Sequence, residues 1–249
     1  DGFTVASLTA SSAMSTEHID KRLYEIQWVA EPARADEEYE HVDDGQDQSW
    51  LVFVDADGLG TAIVEQLRGR GHRVLAVVHE AVDALTESAR GYAVDTQRPD
   101  HLSALLTAHF DREGDLAGIV NCRPDVSGVL HLVKALAEHD TVKPRLFLVT
   151  SNAQPVLGTD LRAVDQAAIW GLGRVIGHQE FTELWGGLID VDDSDDRAET
   201  AARICRHVLD DEHEDQIAIR GRKTLVPRLR RCAGLTKPFP TKLAANATY

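Results

Sequence analysis

The sequence predicts an α/β fold built on a mostly parallel, doubly wound sheet, and three observations carry that reading. From Trp50 onward, apolar runs of strand length alternate with amphipathic stretches of about 10–15 residues, the pattern of right-handed βαβ units. The first run, Trp50-Leu51-Val52-Phe53-Val54, is continuously apolar, as a strand buried on both faces requires. At the other end, two strand-like segments flank Gly221-Arg222, which reads as a hairpin.

The elements follow in order. Leu23 to Trp28 alternates apolar and polar side chains, the two-residue period of a half-buried strand. Residues 31–48 carry eight acids opposed only by Arg34, and are expected to form a mobile, solvated loop without calcium-loop spacing. After the strand at Trp50, Asp55 to Gly60 makes a turn. Thr61 to Arg70 is a helix that Gly71 stops. Arg73 to Val78 is the next strand. Asp100 to Arg112 is a helix behind Pro99, Gly118 to Cys122 a strand, and Val126 to His139 a helix. Arg145 to Thr150 is a strand, Asp165 to His178 a helix, Leu188 to Val191 a strand and Arg197 to Leu209 a helix. Gln216–Arg220 and Lys223–Arg228 are the hairpin strands. Residues 50–230 thus describe a Rossmann-like domain. No internal repeat is visible.

Composition narrows the function classes. The 249 residues suit one large domain or two small ones. Lys and Arg number 26 against 41 Asp and Glu, a formal net charge of −15, which argues against a nucleic-acid or anionic-membrane surface. No apolar run is long enough to span a membrane, and no charged n-region with an apolar h-region is visible in the sequence. Cys122, Cys205 and Cys232 are odd in number and far apart, which favours a reducing, cytoplasmic setting over a disulfide framework. No CxxC or HExxH spacing marks a metal site. The chain starts at Asp1 without an initiator Met and ends on a Pro-rich stretch, so it is expected to be a segment of a longer polypeptide.

In a Rossmann domain the first strand-to-helix turn cradles the cofactor diphosphate on glycines and helix N–H groups. Here that turn reads Asp55-Ala56-Asp57-Gly58-Leu59-Gly60, with Ile63 where a third glycine belongs. In the short-chain reductase frame, Phe53-Val54 stands where Thr-Gly belongs. Asp55 and Asp57 put negative charge where a diphosphate would sit. Glu80, after the second strand, is a candidate ribose ligand or the start of a solvated loop. Reductase chemistry needs a Tyr general acid with a Lys four residues on, and a Ser orienting the carbonyl. Four residues after Tyr24, Tyr39 and Tyr92 stand Trp28, Asp43 and Thr96, and Tyr249 is the last residue. Ser151 follows its strand at the reductase position, but lacks the Tyr-Lys pair. No nucleophile elbow or Walker loop exists.

Several stretches, in order, resemble the structural, non-catalytic ketoreductase subdomain of type I modular polyketide synthases. Leu23-Tyr24-Glu25-Ile26-Gln27-Trp28 looks like that family's LYxxxW strand, and Trp50 to Gly60 like its degenerate strand and turn. Arg145 to Thr150, Ala167 to Ile176, Glu183 to Asp190, Asp215 to Gly221 and Val226 to Leu229 match its later signatures, whereas Asn121-Cys122-Arg123 departs from the usual run. The resemblance implies a truncated short-chain-reductase-like fold at residues 23–232. It implies the tail of a dehydratase-like domain and a linker at 1–22. At 233–249 it implies a linker and first strand leading into a catalytic half.

It further implies no catalytic, cofactor-binding or metal-ligating residue in this segment. NADPH is expected in the adjoining catalytic half, and phosphopantetheine on the parent's carrier domain. The implied partners are the catalytic half, the dehydratase, an enoylreductase in modules that have one, and the acyl carrier domain, in a homodimeric parent. Trp170 and Trp185 are expected to pack rather than stack on a ligand. Gly171 and Gly173 inside a helix mark either close packing or a kink. A competing reading is a divergent NAD(P)-dependent oxidoreductase using Gly58, Gly60, Ser151 and an unidentified acid. Another is a regulatory domain that binds a nucleotide without turnover, which Asp55 and Asp57 oppose.

Overall fold

The structure, a computed structural model, describes residues 22–31, 47–139, 143–158, 161–210 and 214–232. The expected acidic loop lies almost wholly outside them, as do the segments assigned to residues 1–21 and 233–249. The described residues fall into two units, Val29–Val226 and a smaller one holding residues 22–28 and 227–232. Strand β1 (Tyr24–Ala30) begins in the smaller unit.

In the larger unit the expected strands and helices are present in order. Strand β2 (Ser49–Phe53) is buried along its whole length. Helix α1 (Leu59–Gly69) starts two residues before the expected Thr61, because Gly58 adopts φ +89 and turns the chain directly into it. Gly71, at φ +91, follows its last turn. Strand β3 (Arg73–His79) follows. Two elements were not expected, strands β4 (Thr86–Ser88) and β5 (Gly91–Val94). They carry β3 to its parallel neighbour β5 without the usual crossover helix, and β4 folds antiparallel onto β5. Thr86-Glu87-Ser88 is exposed and polar, so it has no apolar pattern to read.

Helix α2 (Pro99–Glu113) places Pro99 in its first turn, where the missing N–H costs nothing. Then come β6 (Gly118–Asn121), α3 (Val126–Ala137), β7 (Arg145–Ser151), α4 (Ala167–Val175), β8 (Trp185–Val191), α5 (Arg197–Leu209), β9 (Gln216–Arg220) and β10 (Lys223–Arg231). The single helix expected over Asp165–His178 is three pieces: a 3₁₀ turn at Val164–Gln166, α4, and a π-helical turn at Ile176–Glu180. Packing explains the break. A Cβ on Gly173 would lie 2.8 Å from the Trp185 indole, and one on Gly177 2.6 Å from it. Close packing therefore accounts for Gly173, while a Cβ on Gly171 would meet nothing within 4 Å.

The sheet of this unit runs β10-β9-β8-β7-β6-β2-β3-β5-β4. It is parallel from β9 to β5, with antiparallel β10 and β4 at its ends. Helices α1 and α5 pack together on one face, over Trp50, Val52, Phe147, Val149 and Ile189, all essentially without solvent contact. Helix α2 packs on α3, and α3 on α4. This is a Rossmann-like α/β fold with a C-terminal hairpin, as the sequence predicts. The strand order reverses between β2 and β6, where such folds form their ligand crevice.

Candidate functional site

The crevice at that reversal lies at the C-terminal ends of β2, β6 and β7. Asp55, Asp57, Cys122, Ser151, Gln166 and Arg197 are among the residues that line it, and its volume is 70 Å³. Pockets that hold drug-sized ligands run to about 300–1,000 Å³.

The two aspartates counted together in the sequence part company in the structure. Asp55 turns back and accepts the Gly60 backbone N–H at 2.7 Å, on the first turn of α1. That N–H is one of the helix-start donors that a phosphate oxygen takes in a nucleotide-binding Rossmann turn. Asp57 stays exposed at the mouth. Gly60 serves packing: a Cβ there would lie 2.7 Å from the Val54 backbone. Gly58 supplies the left-handed turn.

The Cys122 thiol is pushed well above its ordinary range by burial, and the Asp55 carboxylate adds to the effect, so it stays protonated. The Ser151 backbone N–H donates to Gln166 Oε1 at 2.9 Å, tying the end of β7 to the turn before α4. Its neighbour Asn152 sits at φ +50, accepts the Asp193 N–H on its Oδ1 at 2.9 Å, and accepts Arg162 and Ala163 N–H on its carbonyl. Of the competing oxidoreductase set, the structure brings Ser151 to the crevice. It gives Gly58 and Gly60 turn and packing roles beside it. Glu80 is exposed at the end of β3, outside the crevice lining. Tyr92 is buried on β5, and burial raises its phenol above the usual range. Neither described tyrosine, Tyr24 or Tyr92, lines the crevice.

Sequence reasoning missed a buried polar cluster beside the crevice. Asp190, fully buried on β8, accepts the Thr150 hydroxyl at 2.6 Å and the Ala153 N–H at 2.9 Å on Oδ1. Its Oδ2 accepts Arg220 Nη2 at 2.6 Å. Trp170 Nε1 donates to Thr150 Oγ1 at 2.9 Å, so this indole is a packed core group with its polar atom satisfied, as expected. The signal was available: a lone Asp inside the apolar run Leu188-Ile189-Asp190-Val191, and an Arg ending Ile217-Ala218-Ile219-Arg220. A buried charge needs a partner.

Comparison with known proteins agrees with this architecture. The chain is 46% identical over 107 residues to a phenolphthiocerol/phthiocerol polyketide synthase chain of Mycobacterium tuberculosis, covering 41% of the present chain and 7% of that protein. It is 34% identical over 174 residues to erythronolide synthase EryA3 of Saccharopolyspora erythraea, covering 68% of the chain and 5% of that protein. The chain therefore spans a small fraction of these relatives. Among solved structures, a C2-type ketoreductase from a modular polyketide synthase superposes with TM-score 0.64 at 27% identity, covering 86% of this chain and 44% of that one. An A1-type ketoreductase superposes with TM-score 0.61 at 28% identity, covering 87% and 44%. The sequence model of the Rossmann fold domain of polyketide synthase extender module SpnB matches residues 9–229. The chain belongs to this SpnB-type Rossmann fold family, a ketoreductase-like region of modular polyketide synthases.

Proposed function

We propose that the chain is the structural, non-catalytic half of a ketoreductase, a scaffold at residues 23–232 that stabilises and positions a catalytic half. On this reading the parent is a multifunctional, homodimeric, cytoplasmic synthase. It processes β-ketoacyl chains held on the phosphopantetheine of its carrier domain, next to dehydratase and, where present, enoylreductase domains. NADPH belongs to the catalytic half.

One observation carries the reading: the Asp55 carboxylate on the Gly60 N–H. A diphosphate brought to that turn would have to displace a hydrogen-bonded carboxylate and then face Asp57. The small crevice and the absence of any Tyr-x-x-x-Lys point the same way. On this reading the residues present do not fit a dinucleotide. Their work is to hold the sheet and its helices in place.

Two measurements test the reading. NADPH titrated into this chain to millimolar concentration, followed by cofactor fluorescence, is expected to show no saturable binding. Saturation abolished by a bulky substitution at Gly60 would reopen the oxidoreductase reading. Deleting residues 50–230 from the parent is expected to abolish ketoreductase activity through loss of soluble enzyme. A soluble, fully active deletion would overturn the scaffold role.

A further inference from the structure

The crevice at the reversal of the strand order leaves charge unmatched. Arg197, the first residue of α5, lines it and is half-buried. The other buried or half-buried arginines of the described residues are Arg73, Arg145, Arg174, Arg203, Arg220 and Arg228. Each directs its guanidinium to a protein acceptor. Arg197 makes no hydrogen bond or ion pair with its side chain among the described residues.

Asp57 lines the same crevice from the turn between β2 and α1, and its carboxylate also has no partner among the described residues. Helices α1 and α5 pack side by side and bring both charges to one cavity, yet Arg197 and Asp57 do not pair with each other. Two further polar groups of the lining are open. The Ser151 hydroxyl makes no hydrogen bond among the described residues. Gln166 accepts the Ser151 N–H on its Oε1 and leaves its Nε2 donors unused. Leu59, Val149 and Val191 add apolar wall.

These groups define what fits between them. A half-buried guanidinium without a partner favours an anion. A simple anion would also face Asp55 and Asp57, and a simple cation would face Arg197. A molecule carrying both charges satisfies each at its own end. Size narrows the class. The volume of 70 Å³ equals about two or three water molecules at roughly 30 Å³ each, room for about five or six non-hydrogen atoms.

We propose that the crevice binds a small zwitterion of amino-acid size, with one carboxylate and one ammonium group on a short carbon frame. The carboxylate meets Arg197, with the Gln166 amide and the Ser151 hydroxyl as further donors. The ammonium group meets Asp57, and the carbon frame lies against the apolar wall. Asp55 stays on the Gly60 N–H.

The test titrates L-alanine into the ¹⁵N-labelled 249-residue chain and follows the amide signals of Cys122, Gln166 and Arg197. Acetate and ethylammonium, which carry one charge each, are titrated at matched ionic strength. L-alanine is expected to saturate with a Kd on the order of 1 mM, and each single-charge probe to bind at least about tenfold more weakly. Arg197→Gln and Asp57→Asn each remove a charge that has no protein partner among the described residues, so the folded spectrum is expected to persist. Each change is expected to weaken L-alanine binding by about tenfold or more. No saturation by about 100 mM would overturn the site. Acetate or ethylammonium binding as well as L-alanine would overturn the zwitterion, and so would binding unchanged in either variant. Saturable NADPH binding would sink the scaffold reading and leave this site standing, whereas failure of L-alanine to bind sinks this site alone.

Discussion

Helices α1 and α5 pack side by side on the same face of the sheet, yet they begin differently. Helix α5 is capped by the residue just before it: Asp196 accepts the Glu199 N–H at 2.8 Å. Helix α3 begins the same way, with Asp125 accepting from Gly128. Helix α1 begins on left-handed Gly58, which has no side chain to offer, and its cap comes from Asp55, five residues before Gly60. The first arrangement is an ordinary helix start. The second keeps the wide glycine turn of a phosphate-binding site but fills it with the chain's own carboxylate. On the proposed reading, what decides whether such a glycine turn takes a nucleotide is whether its helix-start donors are left open.

The largest test of that contrast lies beside it. Asp190→Ala leaves Arg220 buried without its carboxylate, and unfolding in urea is expected to show a loss of about 3–5 kcal/mol. A loss under about 1 kcal/mol would mean that the pair is solvated and not part of the core. Gly60→Ala comes next. The new methyl meets the Val54 backbone, so a loss of about 1–3 kcal/mol is expected. Gly171→Ala, which meets nothing, is expected to be neutral or stabilising. If the two changes proved equal, Gly60 would have no packing role.

Asp55→Ala and Asp196→Ala sharpen the comparison itself. Each is expected to cost about 1 kcal/mol, since each removes one helix-start acceptor. If Asp55→Ala cost nothing while NADPH binding appeared, the turn would be an open phosphate site held shut only by charge. The smallest effect concerns His109. Its Nε2 lies 3.1 Å from the Asp115 carbonyl, which can only accept, so Nε2 carries the proton and donates to it. Nδ1 is buried without a partner among the described residues. Burial lowers the His109 pKa below its usual 6.5. The unfolded chain therefore binds the second proton more readily than the folded one, and stability is expected to fall as pH drops below about 6.5. His109→Asn is expected to remove that part of the slope, and an unchanged pH–stability curve would show that the imidazole titrates freely.

The fold was legible where burial imposes a simple pattern. Trp50 to Phe53, Arg73 to Val77 and Arg145 to Val149 read as strands because their apolar runs leave no other choice. Strands β4 and β5 were not legible: Thr86-Glu87-Ser88 is solvent-exposed, and Gly91-Tyr92-Ala93-Val94 is only four residues long. The end of α4 was missed because the break depends on Trp185 arriving from the next strand. At the crevice the sequence showed two acids where a phosphate belongs. Which of them reaches the helix depended on the left-handed Gly58, a backbone property with no signature beyond the glycine itself. The Asp190–Arg220 pair joins residues 30 apart on strands that are neighbours only after folding.

A carboxylate fixed to the same chain as the donor it satisfies behaves as a tethered ion. No free anion in solution competes on equal terms, because each must pay a loss of translational entropy that Asp55 does not. A domain stabilised by a dissociable cofactor grows firmer or weaker with the supply of that cofactor, through mass action. On the scaffold reading, helix α1 would have no such dependence at its start, where Asp55 holds the Gly60 N–H. On that reading its stability would not change with the surrounding pool of phosphorylated metabolites.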